Sequence, residues 1–383
     1  MPWKVEALED CRLRLVQALE HGVGSVAALC RSFGISRTTA YKWHERYLSE
    51  GHAGLSDRSR APRSRPCSTR LDMCELLTEL RVKHPTWGAR KLRHWLVRER
   101  PELSLPAAST IHGILKSAGL VAKDRRRRRG NRPLVEGPHH GEGVWATDFK
   151  GHFRLGDGRY CYPWTLQDTT SRMLLACEAM LTPGCAEVKA GFEEVFKRHG
   201  LPLSIVSDNG QPFASSGAGQ LSRLSVWFLR LGIVLRRIAP GHPEQNGRLE
   251  RLHRTLKAEA TRPPGDDLAS QQHKFDVFVK EYNEERPHES LSGATPASCF
   301  VGSKREYTGT TSDPVYPGYY ERLYVDVKGY VKFKGERRYL SEALRQEYVG
   351  AVETSDGVYS VYYFDHELAR YDERGDEWWV LTL

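Results

Sequence analysis

Asp148 interrupts a segment otherwise made of residues that favour a buried strand, Val144-Trp145-Ala146-Thr147-Asp148-Phe149. A carboxylate in such a place is costly unless it is paired, hydrogen-bonded or bound to a metal. A second acid, Asp208, follows directly on the strand expected over 203–206, in Ser207-Asp208-Asn209-Gly210. Its Asn-Gly pair makes a turn that keeps the position open, and α/β sheets place their sites at such C-terminal strand edges. A third acid, Glu250, sits in the first turn of a helix that opens near Asn246, a candidate N-cap. Leu249, Leu252 and Leu256 form one face of that helix, and Glu250, Arg254 and Lys257 share another. A fold that joins these acids must bring two strands and one helix together. Hard divalent cations such as Mg²⁺ take oxygen ligands of this kind.

The surrounding pattern supports such a fold. Residues 144–149, 160–168 and 173–180 read as strands, with a turn at Gly156-Asp157-Gly158. Residues 186–199 read as a helix with Phe192, Val195 and Phe196 inward and Gly200 as its stop. Strands, helix, strand and helix in that order predict a mixed α/β sheet. Asp168 is expected to stabilise the turn after the second strand, and His253 to lie on a helix surface.

The flanks differ from this centre. Residues 5–50 are helical in period, with Ser25 and Ser36 as caps and Gly34-Ile35-Ser36 as a tight turn. Two short helices joined at a glycine form a helix-turn-helix pattern. The second of them carries Arg37, Thr38, Thr39, Tyr41, Lys42 and Arg46, which suit major-groove and phosphate contacts. Residues 70–120 give three further short helices and suggest a second unit of the same type. After residue 301 the segments near 324–327, 330–333, 348–352 and 358–364 alternate like half-buried strands, which predicts a small β-barrel or sandwich.

The formal net charge of +9 and pI near 9.1 favour a polyanionic partner, above all nucleic acid. The charge is clustered. Arg125, Arg126, Arg127, Arg128 and Arg129 are adjacent, cannot fold together alone, and suit a linker that tracks phosphates. The eight cysteines are scattered with no Cys-x-x-Cys pair, so neither a disulfide framework nor a structural zinc site is expected. No apolar run is long enough for a membrane span and no secretory signal is apparent, so the expected location is the cytoplasm.

In its central segment the chain resembles the catalytic core shared by retroviral integrases and many bacterial insertion-sequence transposases. The residues that carry the likeness are Trp145-x-x-Asp148, Ser207-Asp208-Asn209-Gly210-x-x-Phe213, and Pro240-Gly241-His242-Pro243-x-x-Asn246-Gly247-x-x-Glu250-x-x-His253-x-x-Leu256-Lys257. The later Tyr282-Asn283-x-x-Arg286-Pro287-His288 is similar to that group as well. The resemblance implies a ribonuclease H-like core in which Asp148, Asp208 and Glu250 are the catalytic and metal-binding acids. It implies two Mg²⁺ or Mn²⁺ ions per site, strand cleavage at transposon ends, and attack of the freed 3′-OH on target DNA. The spacing common in the family would select Glu244 as the third acid. Glu250 is preferred because it stands in the Asn-Gly-x-x-Glu context, and the Ser/Gly/Ala-rich stretch 214–220 resembles an insertion that absorbs the extra length.

The expected fold is therefore multidomain: N-terminal all-α helix-turn-helix units, a central α/β ribonuclease H-like core and a C-terminal small β-barrel. The expected segments are 1–62 and 63–120 for DNA binding, 121–138 as an Arg-rich linker, 139–300 as the core and 301–383 as the β-rich domain. Expected partners are double-stranded DNA, at transposon ends and target, and further copies of the chain on paired ends, with no membrane. A bacterial, nucleoid-associated location follows. Arg254 and Lys257 join the DNA-contact candidates. The rival readings are a transposon-derived DNA-binding regulator with an inactive core and a metal-dependent nuclease without joining activity.

Overall fold

The computed structural model describes residues 8–58, 69–121, 141–239 and 243–382. The chain divides into two compact units, Met1–Thr69 and Arg70–Leu383.

In the first unit, α1 (Leu8–Glu20), α2 (Val26–Ser32) and α3 (Arg37–Glu50) form a three-helix cluster closed by a 3₁₀ turn, Gly51–Leu55. Ser25 caps α2 by accepting from the Ala28 N–H, and Ser36 caps α3 by accepting from the Thr39 N–H. Gly34 has the positive φ of 64° that the α2–α3 turn needs. Leu15 packs with Cys30 and Ala40, and Val16 packs with Trp43 and Leu55.

The second unit opens with α4 (Leu71–Lys83), α5 (Ala89–Glu99) and α6 (Ala108–Ser117). These share a core of Leu77, Leu80, Trp87, Leu92, Leu96, Ile111 and Leu115. They belong with the sheet that follows, not with α1–α3. The joint is polar. His84 Nδ1 lies 2.8 Å from Glu281 Oε1, Arg98 donates to the Glu285 carbonyl at 3.1 Å, and Thr86 hydrogen-bonds Glu259.

The central sheet contains β1 (Val144–Phe149), β2 (Phe153–Arg154), β3 (Tyr160–Asp168), β4 (Leu174–Met180), β5 (Ser204–Ser207) and β6 (Val234–Arg237). Strand β1 pairs antiparallel with β3 and parallel with β5, β6 extends the parallel edge, and β4 pairs with β3. This mixed sheet, antiparallel on one side of β1 and parallel on the other, has the layout of a ribonuclease H-like core. Side chains alternate across it. Trp145, Trp164 and Ile205 face α7 (Cys185–His199) and α8 (Arg223–Arg230) through Phe192, Phe196 and Phe228. Val144, Ala146 and Val206 face α9 (Gly247–Glu259) and α10 (Leu268–Lys280) through Leu249, Leu252, Leu256, Phe275 and Phe278. Each fully buried leucine contributes about 1.5–3 kcal/mol relative to exposure, so the three leucines of α9 fix how that helix lies on the sheet. Helix α10 runs on into a π-helical turn, Glu281–Glu285. The β2 pairing, β6 and α8 have no counterpart among the elements expected from periodicity.

The C-terminal strands are β7 (Glu321–Tyr324), β8 (Tyr330–Phe333), β9 (Glu336–Tyr339), β10 (Tyr348–Ser355), β11 (Val358–Tyr363), β12 (His366–Asp372) and β13 (Glu377–Val380). They form an open five-stranded sheet, β13-β12-β11-β10-β7, with β8–β9 as a separate hairpin. The expected barrel closure is absent among the described strands. Val331 and Phe333 of the hairpin instead cover the sheet's inner face, packing with Val349, Val361, Tyr363 and Tyr371. The stretch 214–220 has a structural use here. Ala218 and Leu221 are fully buried in this same core with Val226 and Leu229 of α8, and the Gly219 N–H donates to the Leu381 carbonyl at 2.8 Å. The extra length before α9 is the platform on which the C-terminal sheet rests.

Candidate functional site: an acid cluster at the sheet edge

Asp148 and Asp208 leave the sheet side by side. The register pairs Val144 with Ser204, Trp145 with Ile205 and Ala146 with Val206, and two residues beyond that last pair stand the two aspartates. Burial first, then the charge of Asp208 and more weakly that of Glu250, pushes the Asp148 carboxyl up to about 7, against opposing help from the Phe149 N–H and Lys150. Asp148, at the end of β1, therefore feels the acids at the end of β5 and in the first turn of α9. Among the described residues, no three His, Cys, Asp or Glu side chains are drawn close enough to enclose one ion as they stand.

Neighbouring groups set the positions of these acids. The Gly210 N–H donates to Asp208 Oδ1 at 3.1 Å, and a Cβ at residue 210 would come within 3.0 Å of Oδ2. Asn209 holds the turn by donating to the Ile238 carbonyl at 3.1 Å. Asn246 occupies the N-cap position of α9 but makes no side-chain cap bond. Its amide instead donates to Asp148 Oδ2 at 3.5 Å. That corrects the expected cap: a half-buried carboxylate wants a donor more than the helix end does.

His253 also departs from expectation. It is buried, 8% exposed, not on the helix surface. Its Nε2 lies 2.8 Å from Thr165 Oγ1, and Nδ1 is 3.9 Å from Asp148 Oδ2. The Thr165 hydroxyl donates to the Asp148 carbonyl at 3.1 Å, so its oxygen accepts from the imidazole Nε2–H. Nδ1 is then the bare nitrogen facing the acid. Burial and Lys150 push this imidazole down to about 4, so it is neutral.

Cations border the acids on the solvent side. Arg254 and Lys257 are exposed on α9, as their spacing requires. Lys150 was not singled out by the sequence, although its place two residues after Asp148 offered a signal. Burial, then Lys257 and Arg262, lowers its pKa, so these three cations share one region with Asp148. Asp168 serves its turn: Oδ2 accepts from the Ser171 N–H at 2.7 Å and from its hydroxyl at 2.6 Å.

On α3, Arg37, Thr38, Tyr41 and Lys42 are exposed along one face. Thr39 is turned to the cap, 2.9 Å from Ser36 Oγ, and Arg46 lies over the Trp43 ring at 5.0 Å. Arg125, Arg126, Arg127, Arg128 and Arg129 lie outside the described residues, as do the 121–138 linker beyond Val121 and the side chain of Glu244.

Comparison with known proteins agrees with this layout. Residues 138–243 and 231–296 each match an integrase core domain, residues 12–63 a helix-turn-helix domain, and residues 39–115 a homeodomain-like domain. The chain thus carries matches to an integrase core domain preceded by matches to helix-turn-helix and homeodomain-like domains. Among relatives, it is 25% identical over 227 residues to a 31.7 kDa protein of insertion element IS407 from Burkholderia multivorans, covering 58% of this chain and 78% of that one. It is 31% identical over 188 residues to the Gag-Pol polyprotein of baboon endogenous virus, covering 46% of this chain but spanning only 10% of the polyprotein. A solved HTLV-2 integrase catalytic core domain, in complex with magnesium, aligns over 42% of this chain and 95% of its own length at 17% identity and a TM-score of 0.32.

Proposed function

We propose that this protein is a DNA transposase that cuts strands at the ends of a mobile element and joins the freed 3′-OH to target DNA. The observation that carries the reading is the raised Asp148 carboxyl, half-buried near Asp208 and Glu250, whose charges together with burial outweigh the opposing Lys150. Carboxylates that repel one another in partial burial fit a divalent cation, which removes the repulsion and satisfies the oxygen donors. Asp148, Asp208 and Glu250 would hold two Mg²⁺ or Mn²⁺ ions. Bound there, such ions supply charge neutralisation at the phosphate and activation of the attacking oxygen.

The chain's own groups do the rest. Asn246 and the Gly210 N–H orient Asp148 and Asp208. His253 braces the end of β1 through Thr165 and keeps a protonated imidazole away from the acids. Lys150, Arg254 and Lys257 are placed to meet phosphates of the strand being cut. In the first unit, Arg37, Thr38, Tyr41 and Lys42 would read an element end in the major groove, with Thr39 and Arg46 supporting that face. The helices α4–α6 would form a second DNA-facing unit, and the Arg125–Arg129 run a phosphate-tracking link. Assembly as a homo-oligomer on paired ends belongs to the same reading, as does a place in the bacterial cytoplasm at the nucleoid. No helix among the described residues is long and apolar enough to cross a membrane.

The test uses the full chain with duplexes copied from the DNA that brackets its gene, in Mg²⁺. Cleavage followed by joining to a second duplex is expected, and Asp208→Asn should abolish both while leaving binding intact. Binding without cleavage by the native chain would mean a regulator, and cleavage without joining a nuclease; either overturns the proposal.

A further inference from the structure

The core and the C-terminal sheet enclose two cavities along their seam, of about 810 and 560 Å³. The larger begins next to an acid-bearing turn. Gln211 and Pro212, which line it, directly follow the Gly210 whose N–H orients Asp208. Its other walls include the start of α7 at Gly184, the small residues Ala214 and Ser215, and Ser341 from the connection between β9 and β10. The smaller cavity is walled by α7, α8 and the segment that leads from the core to β7, with Trp227 and Tyr307 among its lining. Arg223 of α8 and Arg345 of the β9–β10 connection line both, so the two cavities adjoin at these residues.

The shared arginines have charge to spare. Neither has an ion-pair partner among the described residues, and Arg345 Nε donates only to the Glu342 carbonyl, at 3.0 Å. The acids of the smaller cavity are engaged: Glu347 pairs with Arg230 at 2.8 Å, and Glu193 with Lys189 at 3.5 Å. The acid in the wall of the larger cavity, Glu342, is exposed. The walls are also pinned together. Arg305 donates to the Pro202 and Leu231 carbonyls, each at 2.7 Å, and the Ser312 N–H donates to the Arg230 carbonyl at 2.8 Å. Arg230 reaches Asp313 at 2.7 Å, and a Cβ on Gly217 would come within 3.1 Å of Ser341 Oγ. The cavities therefore exist before a ligand arrives, and filling them costs little reorganisation.

We propose that this seam is a binding groove for an unpaired DNA strand running from the acid cluster, with phosphates on Arg223 and Arg345 and bases on Trp227 and Tyr307. This rests on the reading of the core as DNA-acting. Volumes of this order suit a short single-stranded segment, not a duplex. Guanidinium groups meet phosphate oxygens in forked, charge-assisted hydrogen bonds, and bases of any sequence stack on aromatic rings. Lys189 sits over the Trp227 ring at 5.1 Å, so cation and aromatic occur together, as a strand of alternating phosphate and base requires. Because Arg223 belongs to the core and Arg345 to the C-terminal sheet, a strand in the groove is held by both. It stays next to the acids between cleavage and joining.

The experiment measures fluorescence anisotropy of a labelled oligothymidine of about ten nucleotides, within the span that such grooves cover. The full chain is titrated into it, and into a duplex of the same length, without divalent ions. Arg223→Ala and Arg345→Ala should each weaken single-strand binding about three- to tenfold. Each should also lower the slope of log affinity against log salt by about 0.7. Duplex affinity should not move. Trp227→Leu should weaken single-strand binding about fivefold or more with the slope unchanged. Should that variant fail to fold, a strand carrying 5-iodouracil, photocrosslinked to the native chain, should attach at Trp227 or Tyr307, read by mass spectrometry. Native-like single-strand binding by both arginine variants, or crosslinks confined to residues outside the two cavities, would overturn the groove. Equal losses for duplex and single strand would overturn it as well, since the arginines would then serve general attraction to DNA. Groove binding by a chain that cuts no duplex in Mg²⁺ would overturn the transposase reading and leave the groove standing.

Discussion

The Asn246 amide reaches Oδ2 of Asp148 at 3.5 Å, joining the first residue before α9 to the end of β1. The helix that carries Glu250 is thereby tied to the strand that carries the first acid. Asn246→Ala should lower Mg²⁺-dependent cleavage about 10–100-fold, the usual cost of losing a group that orients a metal ligand. The loss should appear as a higher Mg²⁺ requirement, read by titrating activity against Mg²⁺, with DNA affinity unchanged.

Asp148 gives a prediction in the opposite sense. Its folded carboxyl sits at about 7 against an ordinary value of 3.8, so between those limits the folded state binds more protons than the unfolded one. Stability should therefore fall as pH rises from about 4 to 7, with the full penalty present above 7. In the absence of divalent ions at pH 8, Asp148→Asn should raise the thermal midpoint by about 2–4 °C for each kcal/mol relieved. The gain should vanish near pH 4. Mg²⁺ should stabilise the native chain and not the variant. Differential scanning fluorimetry reads all three.

The Arg286–Glu259 pair is nearly closed to solvent, with side chains 5% and 17% exposed. Arg286→Ala leaves the Glu259 carboxylate uncompensated and should cost about 3–5 kcal/mol in urea unfolding. Adding Glu259→Gln should recover part of that loss, since the orphaned charge is then gone.

Gly293 lies directly against His94 of α5. Its φ is 90°, and an added Cβ would overlap the His94 ring. Gly293→Ala should destabilise by about 1–3 kcal/mol through backbone strain and the forced shift of α5. Enhanced proteolysis in the 100–120 region, read by mass spectrometry, would report the loosened joint.

Much of the core was legible because its signals are local. The strand over 144–149, the Asp208 turn and the leucine stripe of α9 are each readable within a few residues, and hydrophobic period and glycine punctuation mark them. Ser25 and Ser36 cap the helices their spacing assigns. What escaped depends on contacts far along the chain. His253 looks like a surface residue until Thr165, on a strand remote in sequence, supplies its partner. Asn246 reads as a cap until the half-buried Asp148 competes for its amide. The stretch 214–220 looks like a passive insertion, yet its burial is created by strands after residue 321. Barrel closure does not follow from the pattern, because alternation marks half-buried strands without saying which edges meet.

The central claim is that Asp148, Asp208 and Glu250 act together as a cation site. Its most direct test is calorimetric titration of Mn²⁺ into the full chain and into Asp148→Asn, Asp208→Asn, Glu250→Gln and Glu244→Gln. The account predicts saturable Mn²⁺ binding that each of the first three changes weakens at least tenfold, while Glu244→Gln binds as the native chain does. Equal binding by all five proteins, or loss confined to Glu244→Gln, would contradict it.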